Sequence, residues 1–198
     1  MITNFTYCHV DVPGYQQFAK EIYKRLPKSF YESRHGFWML PQIFFQGIPG
    51  FRAAIEKFGL WENLEQIALI VNHPNRTLEE FPIHTDLANL APLALNLPVY
   101  NCDDENIYTG FYQPIRELNK SEVTHGSTTD AKLYAVYPEH LMKEVDRYYL
   151  IKPVIMNTLH PHTVINPTKR LRLGLTVRWV DDCLEKWLKT NGFKFDKV

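Results

Sequence analysis

Three side chains in this sequence could together hold a divalent metal ion. His84 and Asp86 are two positions apart in Ile83-His84-Thr85-Asp86, and on an extended segment such residues point the same way. His162, on a later strand-like segment, supplies a second imidazole. Two imidazoles and one carboxylate on one face of iron(II) leave its other positions open for a co-substrate and oxygen. We therefore expect oxidative chemistry at a mononuclear non-haem iron site.

A fourth candidate lies in the most regular predicted strand, Leu171–Trp179. Strict alternation predicts one apolar face, formed by Leu171, Leu173, Leu175 and Val177. The opposite face carries Arg172, Gly174, Thr176 and Arg178. We expect the leucine face to meet flanking helices and the other to line a roll that holds a charged ligand. The planar fork of Arg172 could bind a carboxylate through two parallel bonds. Arg178 could meet an acidic group of the substrate or lie at the rim.

The order and spacing of these residues resemble the iron(II) and 2-oxoglutarate-dependent oxygenases, in which an HxD pair and a distal histidine form the metal site. Many members place an arginine ten positions after the distal histidine, where it binds the far carboxylate of 2-oxoglutarate. Arg172 stands ten positions after His162. The segment Lys152–Trp179 is most similar to the aspartyl/asparaginyl hydroxylase branch, which also includes some free-proline hydroxylases. Those aspartyl/asparaginyl hydroxylases often lack the carboxylate ligand, whereas Asp86 is present here, so the substrate cannot be transferred.

The resemblance covers roughly residues 81 to 179 and implies a complete set of cofactors. Iron(II) would be held by His84, Asp86 and His162, with 2-oxoglutarate and molecular oxygen as co-substrates. The implied activity is hydroxylation of an amino acid, a peptidyl residue or another small molecule, with release of succinate and carbon dioxide. Alternation along the strand that begins at Leu93 places Asn96 and Tyr100 on one face, where they could assist co-substrate binding.

A second register of the distal residues is possible. His160 has the same strand parity as His162 and stands ten positions before Arg170. Arg170 adjoins the turn-rich segment Asn166-Pro-Thr-Lys169, whereas Arg172 lies inside the predicted strand. The pair His162 and Arg172 is therefore favoured.

Less specific interpretations of these residues also stay open. His84 and Asp86 could belong to a turn, with Asp86 capping backbone amides before a predicted turn over residues 87–92. Two other functions are compatible with a roll of strands. One is a cupin-type metal enzyme that uses no oxo acid, and the other is a non-catalytic roll that mediates protein interactions.

The elements that must position these residues are mostly short strands. Apolar or alternating runs predict strands at residues 67–71, 93–99, 107–112, 132–136, 148–151, 154–156 and 171–179. Helices are predicted at Tyr15–Tyr23, Phe51–Phe58, Pro138–Arg147 and Asp181–Thr190. This pattern indicates a mainly β fold with flanking helices, namely a double-stranded β-helix, the jelly roll of the cupins.

The length of 198 residues suits a single domain with its own hydrophobic core. We expect one oxygenase domain over residues 1–198. Its predicted parts are N-terminal helical support at 1–65, a jelly-roll core at 66–180, and a C-terminal helix and tail at 181–198.

The amino-acid composition indicates which binding partners and which cellular compartment to expect. The 22 lysines and arginines balance the 22 aspartates and glutamates, so no global field attracts nucleic acid or a membrane surface. The three cysteines lack a CxxC arrangement, which argues against a disulfide framework and a structural zinc site. Neither a membrane span nor a leader pattern is recognised. A cytoplasmic protein that acts on a small-molecule or peptidyl substrate is expected, and the oligomeric state is not indicated.

Overall fold

The computed structural model describes residues 5–32, 36–78, 81–86, 91–127 and 133–193. The strands in these ranges are β1 (Tyr7–His9), β2 (Phe37–Met39), β3 (Leu64–Asn72), β4 (His84–Thr85), β5 (Leu93–Tyr100), β6 (Tyr108–Pro114), β7 (Thr124–Ser127), β8 (Leu133–Val136), β9 (Met142–Tyr148), β10 (Val154–Asn157), β11 (His162–Ile165) and β12 (Arg172–Trp179). The helices are α1 (Tyr15–Arg25), α2 (Ser29–Glu32), α3 (Phe51–Ile55) and α4 (Cys183–Thr190). Single 3-10 turns occur at Gln42–Phe45, Trp61–Asn63, Lys120–Glu122 and Glu139–Leu141.

The strands form two antiparallel sheets that identify the fold. The first has the order β1-β10-β5-β12-β3-β2 and the second the order β7-β8-β4-β11-β6-β9. From β3 to β6, and again from β9 to β12, successive strands alternate between the two sheets. This alternation between two facing sheets makes the fold a jelly roll, or double-stranded β-helix. The predicted fold class is confirmed.

Helices cover the outer face of the first sheet. The apolar side of α1, with Phe18 and Ile22, and Phe51 of α3 belong to the same buried cluster as Leu173 and Leu175 of β12. Burying a side chain of this size contributes about 1.5–3 kcal/mol, so this layer holds the helices firmly on the sheet. The prediction that the leucine face meets flanking helices is confirmed, and the other face of β12 therefore points between the sheets.

Two predicted elements of the second sheet are wrong. Instead of a helix over Pro138–Arg147, the chain makes one 3-10 turn at Glu139–Leu141 and continues as strand β9. The lysine, glutamate and arginine of this segment are good helix formers, but pairing with β6 overrides that weak preference. Charged side chains also suit β9 because it is the edge strand of its sheet. The strand predicted at 148–151 is a turn after Tyr148, the last residue of β9.

The N-terminal segment does more than supply helices. β1 pairs with β10 and β2 pairs with β3, so the segment predicted as helical support also provides both edges of the first sheet. The helix predicted over Phe51–Phe58 ends at Ile55, and the C-terminal helix begins at Cys183. Residue 132, the predicted start of a strand, and residues 87–90 of the predicted turn lie outside the described residues. No helix in the described part of the chain is long and apolar enough to cross a bilayer.

Candidate metal centre and anion pocket

The side chains of His84, Asp86 and His162 converge at the inner surface of the second sheet. Their ligand atoms all lie within 4.8 Å of one another. Oδ1 of Asp86 is 3.4 Å from Nε2 of His84 and 3.6 Å from Nε2 of His162. The pairing of β4 with β11 sets His84 directly opposite His162, which explains how residues so distant in sequence meet. Two imidazoles and a carboxylate therefore share one point.

Backbone carbonyls fix the orientation of both imidazoles. Nδ1 of His84 lies 3.0 Å from the carbonyl oxygen of Pro82, and Nδ1 of His162 lies 2.8 Å from that of His160. A carbonyl only accepts, so each Nδ1 carries the proton and each Nε2 presents its lone pair to the shared point. Burial, followed by the proximity of the second imidazole, that of His84, lowers the pKa of His162 to about 4, which keeps the His162 imidazole neutral at pH 7. Neutral imidazole is the form that binds metals.

Asp86 is held as an anion between the imidazoles and an arginine. Its Oδ2 accepts a hydrogen bond from Nη2 of Arg178, and its backbone N–H donates to the carbonyl of Thr158 at 2.9 Å. Burial alone would raise the pKa of Asp86. The positive charge of Arg178, together with the adjacent imidazoles of His84 and His162, outweighs it and keeps that pKa well below its usual range. A carboxylate rather than a carboxylic acid therefore faces the imidazoles.

Arg172 is buried on the inner face of β12 without a carboxylate partner among the described residues. It is 3% exposed, and its Nη1 reaches the carbonyl oxygen of Ile107 at 3.5 Å, the outer limit of a hydrogen bond. Its Nε has no hydrogen-bond partner in the described structure. A buried guanidinium is costly unless paired, so this arrangement favours an anionic ligand beside Arg172.

Two further buried polar atoms on the same sheet lack partners. Asn72 faces Arg172 across the β3–β12 pairing, and Arg76 donates from Nη1 to its Oδ1 at 2.9 Å. That bond fixes the amide and leaves Nδ2 of Asn72 as a donor without an acceptor among the described residues. Oδ1 of Asn96 likewise lacks a partner there. The interior thus offers an arginine and an amide donor side by side.

Tyr148 is a buried phenol that contacts Asn96 in the interior. Its hydroxyl accepts a hydrogen bond from Nδ2 of Asn96 at 3.1 Å. Burial raises its pKa, while the positive charge of Arg172 opposes the rise and the negative charge of Asp86 adds to it. Asn96 pairs with Thr176, which lies between Arg172 and Arg178 on the inner face of β12, so Tyr148 borders the same interior face as both arginines.

The structure does not bring Tyr100 to this group. A bulge in the β5–β12 pairing sets Pro98 opposite Gly174 but Tyr100 opposite Leu173, on the leucine face. Tyr100 is 37% exposed, and its ring stacks on that of Tyr23 of α1 at a centroid distance of 4.2 Å. The prediction that Tyr100 shares a face with Asn96 is wrong, because the bulge turns Tyr100 to the opposite face of the sheet.

The alternative pair of distal residues is placed elsewhere. The candidate metal site contains the imidazole of His162. His160 contributes its backbone carbonyl, which accepts a hydrogen bond from Nδ1 of His162. The side chain of Arg170 is 47% exposed and pairs with Asp103 at 3.3 Å. The structure therefore brings His162 and Arg172 to the interior and leaves Arg170 at the surface.

Sequence reasoning missed three contributions to the site. Asn72 and Tyr148 were not singled out, and the Asp86 contact of Arg178 was not foreseen. Asn72 is paired with Arg172 in the β3–β12 register, so the two side chains share the inner face. That position could have been predicted once the pairing of the two strands was known. No comparable signal exists for Tyr148, because the sequence predicts it at the start of a separate strand over residues 148–151, whereas it is the last residue of β9.

Comparisons with known proteins give only low similarities. No family model and no curated protein matches the chain. Among solved structures, AviO1 from Streptomyces viridochromogenes Tue57 is 13% identical with a TM-score of 0.47, covering 89% of this chain and 90% of that one. EvdMO1 is 15% identical with a TM-score of 0.48, covering 89% of this chain but 47% of the other. A Pseudomonas putida prolyl-4-hydroxylase is 13% identical with a TM-score of 0.41, covering 89% and 93%. Likenesses of this size assign no activity to this chain.

Proposed function

We propose that this protein is a non-haem iron(II), 2-oxoglutarate-dependent oxygenase in which His84, Asp86 and His162 bind the metal and Arg172 binds the far carboxylate of 2-oxoglutarate. One observation carries the proposal: a His-Asp-His cluster shares the interior of a jelly roll with a buried arginine whose Nε has no partner in the described structure. A metal site alone would fit many enzymes. The arginine adds the requirement for an anionic co-substrate.

The donor set fits iron(II). Two neutral imidazoles and one carboxylate on the same side are the ligands of non-haem iron oxygenases, and they leave positions open. Both Nε2 atoms face Oδ1 of Asp86, and each imidazole is oriented by a carbonyl behind it. When bound there, iron(II) with 2-oxoglutarate and molecular oxygen supplies the oxidising chemistry, with release of succinate and carbon dioxide.

The polar interior fits the far end of a dicarboxylate. Arg172 offers Nε and Asn72 offers Nδ2, two donors without partners among the described residues. Charge-assisted hydrogen bonds to a carboxylate would satisfy both groups and neutralise the buried guanidinium. Tyr148 is held by Asn96, which pairs with Thr176 between Arg172 and Arg178 on the inner face of β12, so its hydroxyl is available to orient the co-substrate.

An apolar wall lies on one side of the site. Phe111 is fully buried, and its ring lies 6.2 Å from the ring of His162. It packs with Tyr148, Leu150 and Met156 in a buried cluster on this side of the first sheet. An apolar wall beside the metal ligands strengthens electrostatic interactions inside the site and protects a reactive centre from solvent.

The proposed substrate is an amino acid, a peptidyl residue or another small molecule, which the enzyme would hydroxylate. This part of the proposal depends on the similarity of Lys152–Trp179 to the branch that contains aspartyl/asparaginyl and proline hydroxylases. The net charge of zero gives no support for a nucleic-acid substrate.

The experiment is anaerobic titration of the purified protein with iron(II) and 2-oxoglutarate, followed by absorption spectroscopy. Chelation of iron by the oxo acid is expected to give a visible charge-transfer band in the wild type and none in the His162→Ala variant. Arg170→Met serves as a matched control, because this surface arginine precedes the same strand and should leave the band unchanged.

Two outcomes would overturn the proposal. Absence of the band in the wild type, with the metal bound, would leave a metal enzyme that uses no oxo acid; oxygen uptake independent of 2-oxoglutarate would support a cupin-type activity. Failure of the wild type to retain any divalent metal would indicate a non-catalytic roll.

A further inference from the structure

Arg178 is the second buried arginine on the inner face of β12, and its surroundings differ from those of Arg172. It is 3% exposed, and its Nη2 contacts Oδ2 of Asp86. Its Nη1 donates to the carbonyl oxygen of Ala91 at 3.4 Å. Both terminal nitrogens are therefore engaged by the protein itself. The expectation that Arg178 could meet an acidic group of the substrate does not fit this geometry.

The two oxygens of Asp86 have different partners. Oδ1 lies 3.4 Å from Nε2 of His84 and 3.6 Å from Nε2 of His162, on the side where a metal would bind. Oδ2 is turned toward the guanidinium of Arg178. One oxygen of the Asp86 carboxylate therefore faces the metal site, and the other contacts Arg178.

We propose that Arg178 is a positioning residue that reserves Oδ2 of Asp86, so that the carboxylate binds the metal through Oδ1 alone. This inference rests on the proposed metal site. Carboxylates can bind a metal through one oxygen or through two. A second oxygen would occupy a position that 2-oxoglutarate or oxygen needs, so holding Oδ2 away preserves the open positions of the site.

The contact with Ala91 makes the positioning more rigid. Asp86 directly follows β4 in the second sheet, and Ala91 precedes β5 in the first sheet. One guanidinium, fixed on β12, therefore links the metal-ligand segment to the opposite sheet. The planar fork of arginine can make both contacts at once, which the single ammonium of lysine cannot do in the same geometry.

The test uses manganese(II) as the probe, with water-proton relaxation to count the exchangeable waters on the bound ion. The variants are Arg178→Met and Arg178→Lys, with Arg170→Met as the matched surface control. In the wild type and the control we expect about three waters, the open half of an octahedral site. In Arg178→Met we expect about two, because the freed Oδ2 also binds the ion.

The second readout is the affinity of the manganese-loaded proteins for 2-oxoglutarate, measured by calorimetry. Arg178→Met is expected to bind it at least about tenfold more weakly, the typical effect of losing a group that orients a metal ligand. Arg178→Lys keeps a positive charge near Oδ2 and is expected to retain the wild-type water count. This partial rescue separates positioning from a general loss of structure.

The outcomes distinguish this inference from the proposed function. A wild type that binds neither manganese(II) nor 2-oxoglutarate contradicts the proposed function itself. A wild type that binds both, beside an Arg178→Met protein with the same water count and the same affinity, overturns the role of Arg178 alone. Loss of manganese(II) from both Arg178 variants would also overturn it, because that result indicates a structural requirement. If Arg178→Met does not fold, the water count of Arg178→Lys decides, and a count below the wild type refutes the role.

Discussion

Replacement of Arg172 by methionine is expected to weaken the binding of 2-oxoglutarate without lowering the stability of the fold. This side chain is 3% exposed, and its Nε has no partner among the described residues. A buried donor left unsatisfied costs about 1–3 kcal/mol, and apolar replacement of buried charges is often neutral or stabilising. The free energy of unfolding of the metal-free variant should therefore stay the same or rise by about 1 kcal/mol, a gain of about 2–4 °C in Tm.

The affinity for 2-oxoglutarate should fall sharply in the same variant. Two charge-assisted hydrogen bonds at about 1.5 kcal/mol each, the low end of their range, amount to about 3 kcal/mol. At 1.4 kcal/mol for each factor of ten, the Kd rises about 100-fold. Calorimetry with anaerobic, manganese-loaded protein measures the affinity, and differential scanning calorimetry measures the stability of the metal-free form. Arg170→Met should change neither. A variant that binds 2-oxoglutarate within threefold of the wild type and is clearly less stable would refute the reasoning.

Three further predictions test the packing and the buried groups. Gly59→Ala should lower the free energy of unfolding by about 1–3 kcal/mol, since an added Cβ would overlap Sγ of Cys183 and lie 2.7 Å from Nε1 of Trp179; an unchanged urea midpoint would contradict this. Burial raises the pKa of both Cys8 and Cys183 to about 12, so few thiolates exist at pH 8. Their alkylation by iodoacetamide should be much slower than in the unfolded chain, and equal rates would disprove the burial. Tyr148→Phe removes the oxygen acceptor of Nδ2 of Asn96 and leaves only the weaker acceptor Sδ of Met156, so it should lower the free energy of unfolding by about 1 kcal/mol; an unaltered Tm would show that Asn96 needs no oxygen partner.

Local periodicity was enough to predict much of the site. Alternation depends only on neighbouring residues, so it correctly placed Arg172 on the face of β12 opposite the leucines. The same rule set His84 and Asp86 on one side of an extended segment, and the structure brings them together with His162. The runs of short strands likewise indicated a jelly roll.

Features that depend on pairing between distant strands could not be predicted. The bulge that turns Tyr100 outward arises where β5 meets β12, and nothing within β5 itself indicates it. The helix expected at Pro138–Arg147 has helix-forming residues, yet its partner β6 makes it a strand. Tertiary context outweighs propensity in such segments.

The contacts of Arg178 and Asn72 could not be predicted from the sequence for another reason. Alternation placed Arg178 on the inner face, but its contact with Asp86 depends on how closely the two sheets approach each other there. Asn72 faces Arg172 only through the register of β3 with β12, and the orientation of its amide depends on Arg76. Sequence alone identifies candidate groups, whereas the fold decides which of them remain available to a ligand.

The most direct test is a crystal structure of the protein prepared anaerobically with manganese(II) and 2-oxoglutarate, with the metal located by its anomalous scattering. We predict a metal bound by Nε2 of His84, Nε2 of His162 and Oδ1 of Asp86, with the far carboxylate of 2-oxoglutarate on the guanidinium of Arg172. A metal held by other side chains, or a co-substrate whose carboxylate leaves Arg172 without a partner, would contradict the proposed function.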